Sequence, residues 1–267
     1  MKLDEMKITE MYDLNNTIAA RLFEGKTYPW EVLDDIGSFI ETLGAQLPEG
    51  DYRKVGRNIW IHKRARMAPT VAMGGPAIIC EGADIRHGAF IRGRVIVGHK
   101  AVVGNSCEIK NSILFDGVQV PHYNYVGDSI LGAKAHMGAG AVTSNVKNDK
   151  SLVIVHAEDK DQETGLKKFG AMLGDGAEVG CNSVLNPGTV IGKNSSVYPL
   201  SSVRGCVSAD SIYKGKGDIV KKEVRDAGEA PVEAPAAEAP AEKPVKEKAP
   251  AKEKAPAKKS KSLKVVK

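Results

Sequence analysis

Residues 79–109 read ICEGADIRHGAFIRGRVIVGHKAVVGNSCEI, and this stretch decides the fold. An aliphatic residue returns at every sixth position: Ile79, Ile85, Ile91, Val97, Val103 and Ile109. Four residues after each stands a small or β-branched one: Ala83, Ala89, Val95, Ala101, Cys107 and Ile113. Stepping outward, the same period reaches back through Met73, Met67, Ile61 and Val55. Forward, a five-residue step leads to Leu114, Val120 and Val126, and another to Leu131 and Met137. After an interruption it resumes at Leu173, Val179, Leu185, Ile191, Val197 and Val203.

A helix of period 3.6 would carry a six-residue apolar step around its whole surface, and a heptad fails likewise. A triangular solenoid accommodates it. Each hexad makes one short face and one corner, three hexads close a coil, and the aliphatic residue stacks inward on its counterparts. The expected fold is therefore an all-β solenoid, a left-handed parallel β-helix of hexapeptide repeats spanning residues 51–215. Glycine after the aliphatic residue (VGHK, VGNS, LGAK, MGAG, IGKN) is expected to help turn the chain. The composition agrees: 42% apolar residues, only 5% aromatic and 28 glycines suit stacked small side chains.

The flanks differ. In residues 1–50, the stretch YPWEVLDDIGSFIETLG has Pro29 suited to a first helical turn and Trp30, Leu33, Ile36, Ile40 and Leu43 on one stripe, with Gly44 as a stop. This predicts a short N-terminal helical cap over the open end of the solenoid, where bare strand edges would invite aggregation. Residues 226–267 are almost wholly Ala, Pro, Glu and Lys, which predicts a disordered tail. From Lys243 onward ten lysines face two glutamates, so that last stretch carries +8 and the rest of the chain −3, for a net +5. The tail lacks interleaved arginines and aromatics, which argues against a nucleic-acid partner. No apolar run approaches the ~20 residues of a membrane span. The first residues lack a secretion pattern, and Cys80, Cys107, Cys181 and Cys206 show no CxxC spacing. A cytoplasmic location is the expectation.

Between about 144 and 171 the hexads vanish into a lysine-rich loop, expected to project from a corner toward a neighbouring subunit. Just before it, residues 121–145 read PHYNYVGDSILGAKAHMGAGAVTSN, and upstream stands IRGRVIVGHKAVVGNSCEIKNS. Over roughly residues 80–205 the chain resembles the hexapeptide-repeat acyltransferases. The nearest match is to the acetyltransferase half of the bifunctional glucosamine-1-phosphate N-acetyltransferase / N-acetylglucosamine-1-phosphate uridyltransferase family. That half carries H-x-x-Y-x-G-D, a following G-A-G-T and then an asparagine. The resemblance implies that His122 is the general base acting on a sugar amine as it attacks acetyl-CoA. Arg92, Lys110 and Tyr125 would hold the sugar phosphate, and Lys168 would close over it from an adjacent subunit. Asn145 would lie near the acetyl group, and Cys181, where the family has a serine, would bind acetyl-CoA or merely pack.

The residue types suit that chemistry. Histidine titrates where an amine needs a base, and arginine can grip a phosphate through two parallel hydrogen bonds. Arg92 and Lys110, eighteen residues apart, fall on one face one coil apart. The function expected is acetyl transfer to the amine of a hexosamine 1-phosphate by a homotrimer. The alternative is a non-catalytic trimeric scaffold for a separate nucleotidyltransferase. Departures from the family pattern favour the latter: Val146 replaces an aromatic, His136 replaces an asparagine, and residues 1–50 hold no uridyltransferase phosphate loop. No two histidines share a face at the eighteen-residue step, which disfavours a metal site, leaving only loop His156 open.

Overall fold

The computed structural model describes residues 1–223; the tail predicted over 226–267 lies outside the described residues. The hexads form short strands that stack in parallel register. On the first face Ile79 pairs with Val97, on the second Ile85 pairs with Val103, and on the third Ile91 pairs with Ile109. All three pairs are separated by the eighteen residues of one coil, and all six side chains are buried. Two long strands, Glu108–Leu114 and Tyr125–Leu131, run unbroken around the corner from the third face to the first.

What turns the chain is not the glycine after each aliphatic residue. The left-handed backbone falls three residues after it: Lys100 (φ 56°), Ser106 (φ 53°) and Asn182 (φ 55°), with glycine at 82, 88, 117 and 140. The glycines at 98, 104, 138 and 192 answer a different demand, the close approach of the next coil. A Cβ on Gly104 would lie 1.6 Å from the Pro121 carbonyl oxygen, and one on Gly98 would lie 2.6 Å from the Phe115 carbonyl carbon.

The N-terminal segment does not sit over the open end; it runs lengthwise along the first face. Its start meets the last coils, where Met6 Sδ lies 3.9 Å from Cys206 Sγ. Midway, Tyr12 and Phe23 clasp Phe115, with ring centroids 5.1 and 5.9 Å away. The helix Ile36–Gly44 reaches the first coils, where a Cβ on Gly44 would lie 2.3 Å from the Trp60 ring. Gly44 is therefore there for contact with Trp60. The physical reason for this strap is that the first face is apolar on both sides. Ile78, Ile96, Ile113, Ile130, Met172 and Val190 alternate with the inward residues and are fully buried beneath it. Each such side chain contributes roughly 1.5–3 kcal/mol when covered. Asp175 fastens the strap to the coils. Its carboxylate accepts the Asp13 and Ala133 N–H groups, both at 2.7 Å, and its own N–H donates to the Met11 carbonyl at 3.1 Å.

The solenoid's ends are closed by hairpins instead. Tyr52–Gly56 pairs antiparallel with Ile59–His62, and Ser211–Gly215 pairs antiparallel with Asp218–Lys221. Val55, expected as the first inward hexad residue, lies on the outer strand of the former hairpin and is exposed; Met67, in the first coil, is also exposed.

The stacking account predicts that Gly104→Ala destabilises the protein by about 3 kcal/mol, the upper range for overpacking. Gly50→Ala, where a Cβ meets nothing within 4 Å, should stay within about 0.5 kcal/mol of the parent. Urea denaturation of both variants measures the difference.

Candidate active site

The corner between the third and first faces gathers most of the side chains singled out from the sequence. Arg92 follows Ile91 and Lys110 follows Ile109, so strand register places one above the other. Each cation already has a partner. Arg92 Nη1 donates to Glu108 Oε1 at 2.7 Å, and Lys110 Nζ lies 3.0 Å from Asp128 Oδ2. The Lys110 side chain is only 13% exposed and that of Asp128 only 4%, so this pair is an internal one. Asn111 Nδ2 donates to Asp128 Oδ1 at 2.8 Å, and Asn145 Nδ2 donates both to Asp128 Oδ2 and, at 3.2 Å, to the Tyr125 hydroxyl. Burial, and next the Asp128 carboxylate, push the Tyr125 phenol up, so it stays protonated. Asn111 Oδ1 is buried without a hydrogen-bond partner among the described residues, a deficit worth about 1–3 kcal/mol unless a donor arrives.

Asp128 and Glu108 were not singled out from the sequence, yet they decide the charge of this corner. The signal was available: the coil-length step that stacks Lys110 on Arg92 also brings the residues seventeen or so positions on into contact.

His122 occupies the opposite edge of the third face. Its register partner is Asn105, and Asn124 Oδ1 accepts its backbone N–H at 3.0 Å. The imidazole is exposed and makes no hydrogen bond among the described residues. Tyr125 stands between the two edges on the outward column Phe90, Glu108, Tyr125, Val142. Cys181 falls on the His122 corner two coils further on, since the Gly140 N–H donates to the His122 carbonyl and the Asn182 N–H to the Ala139 carbonyl. The third face is thus a strip with an open base along one edge and a polar, charge-balanced cluster along the other.

The insertion at 144–170 leaves the coil beside Asn145 and returns to it, the Phe169 N–H donating to the Asn145 carbonyl at 3.0 Å. It does not hang free. Its hairpin, Ile154–His156 with Asp161–Glu163, is tied to the strap by Asp159, which accepts the Leu3 N–H at 2.9 Å. Phe169 is buried against Trp30, with centroids 5.7 Å apart. Lys168 is exposed and immediately precedes Phe169, so its backbone lies beside Asn145 of its own chain.

Residues 73–160 match the family described as the GMPPB C-terminal domain. The bifunctional protein GlmU of Methanococcus maripaludis (strain C5) is 35% identical over 115 residues, covering 43% of this chain and 28% of that protein. The bifunctional sugar-1-phosphate nucleotidylyltransferase/acetyltransferase of Sulfurisphaera tokodaii is 33% identical over 109 residues, 41% of this chain and 27% of its own length. The chain thus spans less than a third of either relative. Among solved structures, WeeI from Acinetobacter baumannii AYE overlaps 58% of this chain and 57% of its own at 15% identity, with a TM-score of 0.35, too distant to bear on function.

Two measurements check the site's physics. Asp128→Ala leaves the Lys110 ammonium buried without its counter-charge and should destabilise the protein by about 3 kcal/mol in thermal or urea unfolding. Burial pushes the Cys80 and Cys206 thiols up to about 12 and raises that of Cys107, whereas Cys181 is exposed. A water-soluble disulfide reagent at pH 8 should therefore modify one thiol quickly in the native protein, and Cys181→Ser should abolish that phase. Through the central coils that hold this corner, the chain resembles the GlmU-like acetyltransferase family.

Proposed function

We propose that the chain is an acetyl-CoA-dependent acetyltransferase acting on an amino sugar, and that its acceptor is the amine of a hexosamine 1-phosphate. The observation carrying this reading is the third-face strip. An exposed imidazole with no hydrogen-bond partner among the described residues faces, across Tyr125, an ordered cluster of Lys110, Asp128 and Asn145. The relatives named above support the same reaction class. His122 takes a proton from the amine as its nitrogen attacks the thioester carbonyl. The C–S bond then breaks, and the imidazolium returns the proton to the departing CoA thiolate. Acetyl-CoA would lie along the His122 corner, toward Ala139 and Cys181. No metal or further cofactor is needed for this sequence of proton transfers.

A trimer suits the surface. The strap occupies the first face, leaving the second and third to meet neighbours, and a cyclic assembly lets each third face be walled by another chain. A second reading is favoured by one observation. Arg92 and Lys110 are each neutralised by a carboxylate, so this corner offers a phosphate no net positive charge. A scaffold that trimerises and supports a separate nucleotidyltransferase would tolerate that balance.

The two readings part on turnover. With acetyl-CoA and glucosamine 1-phosphate, CoA release should be measurable and should fall by roughly 10²–10⁴-fold in His122→Ala, the usual contribution of a general base. A well-folded trimer that releases no CoA with any amino-sugar phosphate would establish the scaffold instead.

A further inference from the structure

The same corner that carries Arg92 and Lys110 continues upward through Ser144 and Asn186 to Arg204, where the third face ends. There the insertion folds back beside the last coils and encloses a cavity of about 290 Å³. One wall comes from the coils, with Asn186, Gly188 and Arg204; the other comes from the insertion, with Lys147, Asp149 and His156. The walls meet tightly, since a Cβ on Gly188 would lie 2.8 Å from Val153 Cγ1.

The charge balance here is opposite to that of the active-site corner. Arg204 makes no ion pair among the described residues, and Lys147 has only a loose contact with Asp149 at 3.7 Å. Two fixed cations thus face one carboxylate, with a histidine beside them whose Nδ1 lies 2.8 Å from Asp161 Oδ1. Arginine with lysine at the mouth of a small cavity is the donor set that holds a phosphate group. No Phe, Tyr or Trp lines the cavity. Hydroxyl partners are available in the Asp149 carboxylate and in Asn186 Oδ1; the Asn186 Nδ2 is already given to Ser202 Oγ at 3.1 Å and the Val203 carbonyl at 2.8 Å. The volume sits at the small end of ligand sites, about 300–1,000 Å³, which suits a phosphorylated monosaccharide.

We infer that this cavity is a binding site for a sugar phosphate, separate from the acceptor site and built to tie the insertion to the last coils. A ligand held by Arg204 on one wall and Lys147 on the other joins two segments remote in sequence. It also favours the conformation in which Asn145, two residues before Lys147, holds Asp128 and Tyr125. Binding stabilises that arrangement by mass action, so occupancy of the cavity acts on the site next door.

Titration calorimetry on the full chain with glucose 1-phosphate, which carries no amine to acetylate, and with inorganic phosphate tests this. Glucose 1-phosphate should bind more tightly than phosphate, and both Arg204→Gln and Lys147→Ala should weaken it at least tenfold. Arg92→Ala should leave it within twofold. Amide hydrogen exchange across residues 146–156 should slow on binding in the parent but not in Arg204→Gln. Loss of binding in Arg92→Ala with retention in Arg204→Gln would overturn the assignment. So would equal affinity for inorganic phosphate, or the absence of binding at about 1 mM, near the weak limit of specific recognition. None of these readouts requires acetyl transfer, so the outcome is independent of whether the acetyltransferase reading stands.

Discussion

Everything in this molecule follows from the spacing of one coil above the next, about 4.8 Å between hydrogen-bonded strands. At that distance an inward side chain must nest on its counterpart in the coils above and below, which admits aliphatics of similar size and little else. Wherever two corners pass closer than a Cβ allows, only glycine fits, as at Gly104 beneath Pro121. Most corners after the first coil take a left-handed residue, supplied chiefly by glycine or by a polar residue such as Asn182 or Ser106. Two distinct constraints therefore act on neighbouring positions, and glycine answers both for unrelated reasons.

The six-residue period was legible because it records the inward stack directly, and it located the coils from Ile61 to Val203 without help from the structure. The strap was half legible. Trp30, Leu33, Ile36 and Ile40 were recognised as an apolar stripe, and all four are buried. Their destination does not show in the six-residue period, which records only the inward side of each strand. The triplets AII, VIV, SIL, AML and TVI on the first face each end in two adjacent apolar residues, the mark of a strand buried on both sides. Counting Ile78, Ile96, Ile113, Ile130, Met172 and Val190 would have shown an outer column that needs covering. Sequence position alone suggested an end cap; hydrophobicity on the outward side demanded a lengthwise strap.

The candidate site was legible in its cations and its histidine, and not in its carboxylates. Arg92, Lys110, Tyr125 and Asn145 do share one corner, because register carries them there. What no spacing rule for a single residue type reveals is that Glu108 and Asp128 arrive at the same corner and cancel the charge. A buried ion pair of this kind adds little net stability but fixes geometry. Here it fixes Asn145 at the point where the insertion departs, and it holds the Tyr125 ring over the glycine at position 127. The corner is thus better suited to orienting a hydrogen-bonded acceptor than to attracting an anion from solution.

That distinction explains why the insertion interrupts the solenoid where it does. An excursion placed elsewhere would decorate a corner without touching the polar cluster. Placed between Thr143 and Gly170, it leaves through Asn145 and returns through Phe169, so both of its ends are bonded to the cluster or to the coil beneath it. Its hairpin rests on the strap, and the strap rests on the first face through Asp175 and the Phe115 ring. The N-terminal segment, the coils and the insertion therefore form one mechanical loop that closes around the corner holding Lys110 and Asp128. Arg204, with no ion pair among the described residues, and Lys147, only loosely held by Asp149, lie on that loop beyond the neutral cluster. An anion is attracted at the place where it can tighten the loop, while the cluster itself stays electrically balanced and positioned.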